Sequence, residues 1–148
     1  ETDLNVAQFF QAQVQSTLPG ITIQIEQVPN KTRIERQKSG DFDLALTGWT
    51  PDYPDPTTFL DMWQTDNNYN FGKWSNAEYD NKLKQAGEAA SPFERWKLLQ
   101  EAEQIAGKEA AVFPIYQGGS AYLIKPYLKG WEITNGGGIS TLYSYIEK

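Results

Sequence analysis

The alternation of apolar and polar residues between positions 21 and 49 constrains the fold more than any other feature. In ITIQIEQV (21–28) the isoleucines at 21, 23 and 25 alternate with polar residues at 22, 24 and 26, which is typical of a strand with one buried face. In DFDLALTGW (41–49) apolar residues fall on both sides of the predicted strand, so we expect both faces to be covered. The intervening KTRIERQKSG fits a short helix that Asn30 caps and Gly40 ends. Strand, helix and strand within about 30 residues predict a right-handed βαβ unit and therefore an α/β fold.

Three further helices are predicted from apolar spacing and end signals. The first spans Asp3 to Leu18. In SNAE, Ser75 and Glu78 have the spacing of a capping box that begins the second helix. In SPFE, Ser91 is the predicted cap of the third helix, and Pro92 takes its first position. AVFPIYQ and SAYLIKP predict two more strands, of which the first is an edge or bulged strand because it contains a proline.

The composition excludes several classes of site. The 148 residues amount to one ordinary domain, with no cysteine and no histidine, so disulfides, thiol chemistry and Ser-His dyads are excluded. No apolar run approaches the roughly 20 residues that span a bilayer. The net charge of −6 is concentrated between residues 39 and 72, where there is no Lys or Arg. An anionic segment of this kind disfavours nucleic acid and attracts cationic groups. It contains six aspartates: Asp41, Asp43, Asp52, Asp55, Asp61 and Asp66.

The segment GWTPDYPDPTTFLDMW (48–63) begins where the second predicted strand ends. Ligands of open α/β sheets bind beyond the carboxyl ends of strands, so this position favours a binding site. We expect Phe59, Trp63 and Trp74 to fasten this irregular segment to the core, because burying large rings offsets the entropy of ordering it. Trp49 either joins that core or forms the wall of a pocket.

Asp52 is the main candidate for chemistry in this segment, and the residues allow two interpretations. It either caps a local turn or presents a fixed carboxylate to a ligand cation. Asp55 precedes a proline and is expected to shape the turn. Calcium binding by Asp52, Asp55 and Asp61 is disfavoured because their spacing matches no EF-hand loop. A carbohydrate-binding or carbohydrate-active domain is the alternative function, since rings and carboxylates also line sugar clefts.

Several motifs together resemble the carboxy-terminal part of family 5 extracellular solute-binding proteins, especially the oligopeptide-binding lipoproteins of Gram-positive bacteria. They are DFDLALTGWTPDYPDPTTFLDMW, KWSNAEYDNKL and FPIYQ, and the likeness extends from the first helix to about Trp131. The resemblance implies an α/β fold: one lobe of a type II periplasmic-binding-protein fold, with a mixed sheet flanked by helices. Because such proteins are several times longer, we expect residues 1–148 to be a single ligand-binding lobe of a two-lobed receptor. For the tail, residues 131–148, the alternative is that it belongs to the other lobe.

The resemblance also implies a non-enzymatic function, which is peptide binding and delivery to an ABC importer. The family's aspartate that pairs with the α-ammonium group of the ligand falls on Asp52, and Trp49, Thr50 and Tyr53 would line the site around it. The implied partners are an oligopeptide ligand and the permease subunits of the importer, with no nucleic acid, no metal and no cofactor. The whole receptor would be a lipid-anchored monomer at the extracellular face of the cell membrane, or a periplasmic protein in a Gram-negative cell.

Overall fold

The computed structural model describes residues 2–134 and 137–147, and the chain divides into two compact units. The first unit is Glu1–Gly48 and the second is Trp49–Lys148. None of the helices that the structure describes is both long and apolar enough to cross a membrane.

The first unit contains helix α1 (Thr2–Thr17) and helix α2 (Asn30–Ser39), joined by a segment without regular secondary structure. Side chains of α1 hold this connecting segment at one residue. The Gln11 amide donates a hydrogen bond to the Ile23 carbonyl oxygen (2.7 Å), and the Ile23 amide donates one to Gln15 Oε1 (2.8 Å). These bonds satisfy two backbone groups that a strand neighbour would otherwise satisfy.

The two strands predicted over residues 21–28 and 41–49 are not formed among the described residues. A strand exists only where its backbone pairs with another, and neither segment has such a ladder. The expected covering of both faces of the second segment is also wrong, since Leu44 is 72% exposed.

The two ends of α2 differ in how well the sequence predicts them. Gly40 ends the helix as expected, with a φ of 76°, and the Asp41 amide donates to the Arg36 carbonyl oxygen. Capping by Asn30 is wrong, because Asn30 already lies inside the helix and Pro29 takes the cap position. The Asn30 side chain instead accepts a hydrogen bond from Arg33 (2.7 Å).

The second unit carries the hydrophobic core, which lies between two long helices. Helix α3 (Thr57–Leu60) continues into a 3₁₀ turn (Asp61–Trp63), and helices α4 (Ala77–Glu88) and α5 (Pro92–Lys108) pack against each other. The apolar stripes predicted for these two helices supply every member of the core. Its buried residues are Tyr79, Leu83, Ala86, Leu99, Ala102 and Ala106.

Two of the three rings expected to fasten the proline-rich segment do contact this core. Trp63 and Trp74 pack against it, and the Trp74 ring meets the Tyr79 ring edge-on at 5.0 Å. The Trp74 indole N–H donates to Glu109 Oε2 (2.9 Å). Phe59 does not follow the prediction, since it is 42% exposed and contributes to no buried cluster of the described residues.

The sequence predicts the amino-terminal cap of α5 correctly and misplaces the cap of α4 by one residue. Ser91 caps α5 as expected, because its hydroxyl accepts a hydrogen bond from the Glu94 amide (3.2 Å). The cap of α4 is Asn76 rather than Ser75. The Asn76 side chain accepts from the amides of Glu78 (2.9 Å) and Tyr79 (3.0 Å), and it also donates to Glu109 (2.7 Å).

The carboxy-terminal part contains two short antiparallel ladders. Strand β1 (Leu128–Lys129) pairs with β4 (Tyr145–Ile146), and β2 (Glu132–Ile133) pairs with β3 (Ile139–Ser140). The strands predicted in AVFPIYQ and SAYLIKP are absent from the described residues, which leave 112–125 without any ladder. As in the first unit, the apolar pattern is present but the described chain supplies no neighbouring strand.

Candidate functional site

The residues singled out by the sequence lie at the start of the second unit, in a segment that we call the Asp52 loop (residues 49–58). Its prolines restrict the backbone, and the loop ends in the first turn of α3. The loop closes on itself through Thr58, which is 5% exposed. The Thr58 hydroxyl accepts a hydrogen bond from the Asp52 amide (3.0 Å), and the Thr58 amide donates to the Asp55 carbonyl oxygen (3.1 Å). The backbone at Asp52 is therefore held against a buried side chain.

The Asp52 carboxylate itself is exposed and makes no hydrogen bond or ion pair with any residue that the structure describes. The turn-capping interpretation requires its oxygens to accept a local backbone N–H, and no such bond is present in residues 49–58. Asp52 therefore offers a negative charge on a fixed backbone without a partner to neutralise it.

Asp55 performs the turn-shaping role that was predicted for it. Thr57 is the first residue of α3. The Asp55 Oδ1 atom accepts hydrogen bonds from the Thr57 amide (3.0 Å) and from the Thr57 hydroxyl (2.7 Å). The same oxygen also accepts from Arg95 Nη2 (2.8 Å), although Arg95 is 40 residues further along the chain. The bond from Arg95, with smaller contributions from Thr57, lowers the pKa of Asp55 to about 2.

Asp61 lies close to this pair but has the opposite electrostatic behaviour. Burial raises the pKa of the Asp61 carboxyl, and the nearby negative charge of Asp55 adds to the effect, while Arg95 partly opposes it. Burial likewise raises the pKa of Tyr79, whose hydroxyl donates to the Leu60 carbonyl oxygen. The three loop-region aspartates thus differ: Asp55 is ion-paired, Asp61 is partly buried, and Asp52 has no partner among the described residues.

A cluster of rings accompanies the loop. The Trp49 ring meets the Tyr69 ring edge-on at 4.9 Å, and Tyr69 meets Phe71 edge-on at 6.4 Å. The indole N–H of Trp49 is buried and has no hydrogen-bond partner within the described chain. A buried donor without an acceptor costs roughly 1–3 kcal/mol, so an acceptor from outside the described residues would stabilise it.

The other two predicted site residues are available at the surface. Thr50 is exposed, and Tyr53 is 43% exposed with its hydroxyl oxygen 3.3 Å from the Thr57 hydroxyl oxygen. The structure thus places all four predicted residues within one short loop.

Sequence reasoning missed Tyr69 and Arg95. The only signal for Arg95 was the lack of Lys and Arg between residues 39 and 72, which requires any neutralising cation to come from elsewhere.

No group of three acidic side chains in the described ranges is arranged to hold a metal ion. For the calcium hypothesis, the relevant finding is that Asp55 is already bound to Arg95. A carboxylate committed to a guanidinium is a poor ligand for a second cation.

Comparison with known proteins gives similarities along most of the chain. Residues 1–71 match the family model "Bacterial extracellular solute-binding proteins, family 5 Middle". The dipeptide-binding protein of Lactococcus lactis is 34% identical over 134 residues, which cover 88% of this chain and 24% of the relative. A probable deoxycholate-binding periplasmic protein of Escherichia coli is 34% identical over 116 residues, covering 78% of this chain and 22% of the relative. The chain thus spans about a quarter of the length of these relatives.

The fold is compared most directly with solved structures. The structure of Listeria monocytogenes OppA bound to peptide superposes with a TM-score of 0.80 at 34% identity, covering 97% of this chain and 27% of the other. This superposition confirms the predicted fold class: the chain has the α/β fold of part of a type II periplasmic-binding protein. From the family model and these relatives together, the chain belongs to the family 5 bacterial extracellular solute-binding proteins.

Proposed function

We propose that this chain is part of a two-lobed receptor that binds oligopeptides and delivers them to an ABC importer. The Asp52 carboxylate pairs with the α-ammonium group of the peptide. The observation that carries the proposal is the contrast between two neighbouring aspartates. Asp55 is held by Arg95 (2.8 Å), whereas the exposed Asp52 carboxylate on the same loop has no partner in the described part of the chain. A fixed, uncompensated carboxylate suits a ligand that always carries one positive terminus.

The ring cluster supports the same ligand class. Trp49 and Tyr69 offer apolar surface beside the loop, and the free indole N–H of Trp49 offers a donor to a peptide carbonyl. Thr50 and Tyr53 add exposed hydroxyl groups for water-mediated contacts. Such a site fixes the backbone of a peptide while leaving its side chains free to vary.

The charge of the segment favours peptides over the ligand named for the Escherichia coli relative. Deoxycholate is an anion, and residues 39–72 contain six aspartates without a single Lys or Arg. Among the described residues, Arg95 is the one cation that forms an ion pair with the Asp52 loop, and its partner there is Asp55. The carbohydrate alternative gains no support from these relatives.

The rest of the proposal rests on the family. The receptor is non-enzymatic and monomeric, lies at the extracellular side of the membrane with a lipid anchor, and docks to the permease subunits of its importer. Residues 1–130 belong to one of its lobes. The assignment of residues 131–148 to the other lobe stays a prediction. A consequence is that the isolated 148 residues bind peptide weakly, because the opposite lobe supplies the rest of the site.

The test is calorimetry on the full-length receptor with a peptide and its N-acetylated copy. A sheltered charge-assisted hydrogen bond contributes about 1.5–3 kcal/mol, so Asp52→Asn should weaken binding of the free-amino peptide by roughly 10- to 150-fold. The same substitution should leave the N-acetylated peptide nearly unaffected. Asp66→Asn is the matched control, since Asp66 is exposed in the same acidic stretch but outside the loop. Equal binding of both peptides to the unmodified receptor would refute the assignment of Asp52.

A further inference from the structure

The hydrogen bonds of the Asp52 loop form a chain that reaches helix α5 through Asp55. Asp52 is bonded to Thr58, Thr58 is bonded to Asp55, and Asp55 is bonded to Arg95. The first two links are local, because they join residues no more than six apart. The last link reaches helix α5, and it is the only ion pair that the described residues of the loop make.

Helix α5 is a rigid support for this attachment. Leu99, Ala102 and Ala106 are buried in the core, and Ser91 caps the first turn of the helix. Arg95 lies between the cap and the buried residues, so the backbone that carries it is held on both sides. The ion pair is partly sheltered, with side-chain exposures of 30% for Arg95 and 31% for Asp55. Such a pair holds the loop at a fixed distance from the helix.

Arg95 also determines which aspartate is free. Without the guanidinium, Asp55 would present a second uncompensated carboxylate three residues from Asp52. A cationic ligand group would then have two competing sites, and the register of the bound ligand would be less well defined.

We propose that Arg95 is a positioning residue for the ligand-ammonium site: by neutralising and anchoring Asp55, it fixes the loop that presents Asp52. Arg95 does not contact the ligand in this scheme. The inference rests on the proposed function for its effect on binding, but its effect on the loop is independent of any ligand.

The first experiment follows the loop by hydrogen exchange with mass spectrometry on the full-length receptor without ligand. Arg95→Gln should speed exchange in the peptide spanning residues 49–60 by about three- to fivefold, which is the effect expected for losing a partly exposed ion pair. Exchange within α4 should not change. Lys82→Gln is the matched control, because Lys82 forms an ion pair of similar exposure with Glu101 (2.7 Å) that does not touch the loop. Asp55→Asn provides a second variant that removes the same ion pair.

The second experiment measures the ratio of the dissociation constants of an N-acetylated peptide and its free-amino form. Arg95→Gln and Asp55→Asn should each reduce this ratio by about three- to tenfold, and Lys82→Gln should leave it unchanged. Arg95→Lys should recover part of it, because the native contact joins one nitrogen to one oxygen and an ammonium can replace it. A general loss of stability would not change this ratio in the protein that remains folded.

The outcomes separate the two proposals. If the unmodified receptor fails to discriminate between the peptides, the proposed function is wrong, and the exchange data still decide whether Arg95 positions the loop. If the receptor discriminates and Arg95→Gln changes neither exchange nor the ratio, Arg95 is not a positioning residue. Faster exchange with an unchanged ratio would also overturn the inference, since the loop would then move without affecting the site.

Discussion

The Asp55–Arg95 ion pair predicts how the stability of the second unit depends on pH. The bond from Arg95, aided by Thr57, lowers the pKa of Asp55 from an ordinary value of 3.8 to about 2 in the folded protein. A depressed carboxyl pKa stabilises the fold fully above the unfolded value, and this contribution is lost as the pH falls through the folded value. The window in which the contribution disappears is therefore about pH 4 to about pH 2.

The magnitude follows from the pKa difference and the exposure of the pair. The difference corresponds to about 2.4 kcal/mol for a fully sheltered carboxylate. Because the Asp55 side chain is 31% exposed, solvent screening reduces the expected contribution to about 1 kcal/mol. We therefore expect Asp55→Asn to lower the free energy of unfolding by about 1 kcal/mol near neutral pH and to have little effect near pH 2.

The assay is urea unfolding followed by tryptophan fluorescence at several pH values, for the unmodified protein and for Asp55→Asn. For each protein the free energy of unfolding is plotted against pH, and the difference between the two plots gives the contribution of Asp55 alone. The other carboxyl groups cancel in this difference, including Asp61, whose raised pKa makes a contribution to the pH dependence of the opposite sign. Arg95→Gln should remove the same contribution, and the double variant should lose little more than either single one. Parallel curves across the acid range, or additive effects of the two substitutions, would refute this account of the pair.

Three further predictions test the packing and the turns. Leu99→Ala should lower the free energy of unfolding by about 2–5 kcal/mol in chemical denaturation, because Leu99 is 2% exposed in the core; a loss below about 1 kcal/mol would contradict that placement. Asn76→Ala should cost about 1 kcal/mol in the same assay, and Ser75→Ala much less; equal losses would mean that Asn76 is not the cap. Gly130→Ala should disrupt the β1–β4 pairing, since φ is +71° and a Cβ would lie 2.2 Å from the Tyr143 carbonyl oxygen. Unchanged hydrogen exchange of residues 128–129 would count against that turn geometry.

Much of the helical structure could be predicted from the sequence because its signals are local. The cap at Ser91 and the left-handed Gly40 each depend on residues within about one turn of the helix. The cap of α4 was misplaced by one residue because Ser75 and Asn76 are both suitable types. The tertiary contact decides between them: Asn76 also bonds to Glu109 of the adjacent helix end, whereas Ser75 pairs with Thr65 (3.0 Å).

The strand predictions show the opposite case. The apolar alternation of residues 21–28 is real, since Ile23 and Ile25 are less exposed than their polar neighbours. Periodicity reports which face of a segment is apolar, but a strand also needs a neighbouring backbone, and sequence alone does not reveal whether one is within reach.

The sequence by itself determined helices α1, α2, α4 and α5, the apolar stripes of α4 and α5, and the proline-stiffened loop that carries Asp52. Only the tertiary structure decided which aspartate is free. Asp52 and Asp55 have nearly the same local context, each preceded or followed by proline, and they differ because Arg95 from α5 reaches one and not the other. An ion pair between residues 40 apart depends on how the helices pack, and no local pattern of residues encodes that distance.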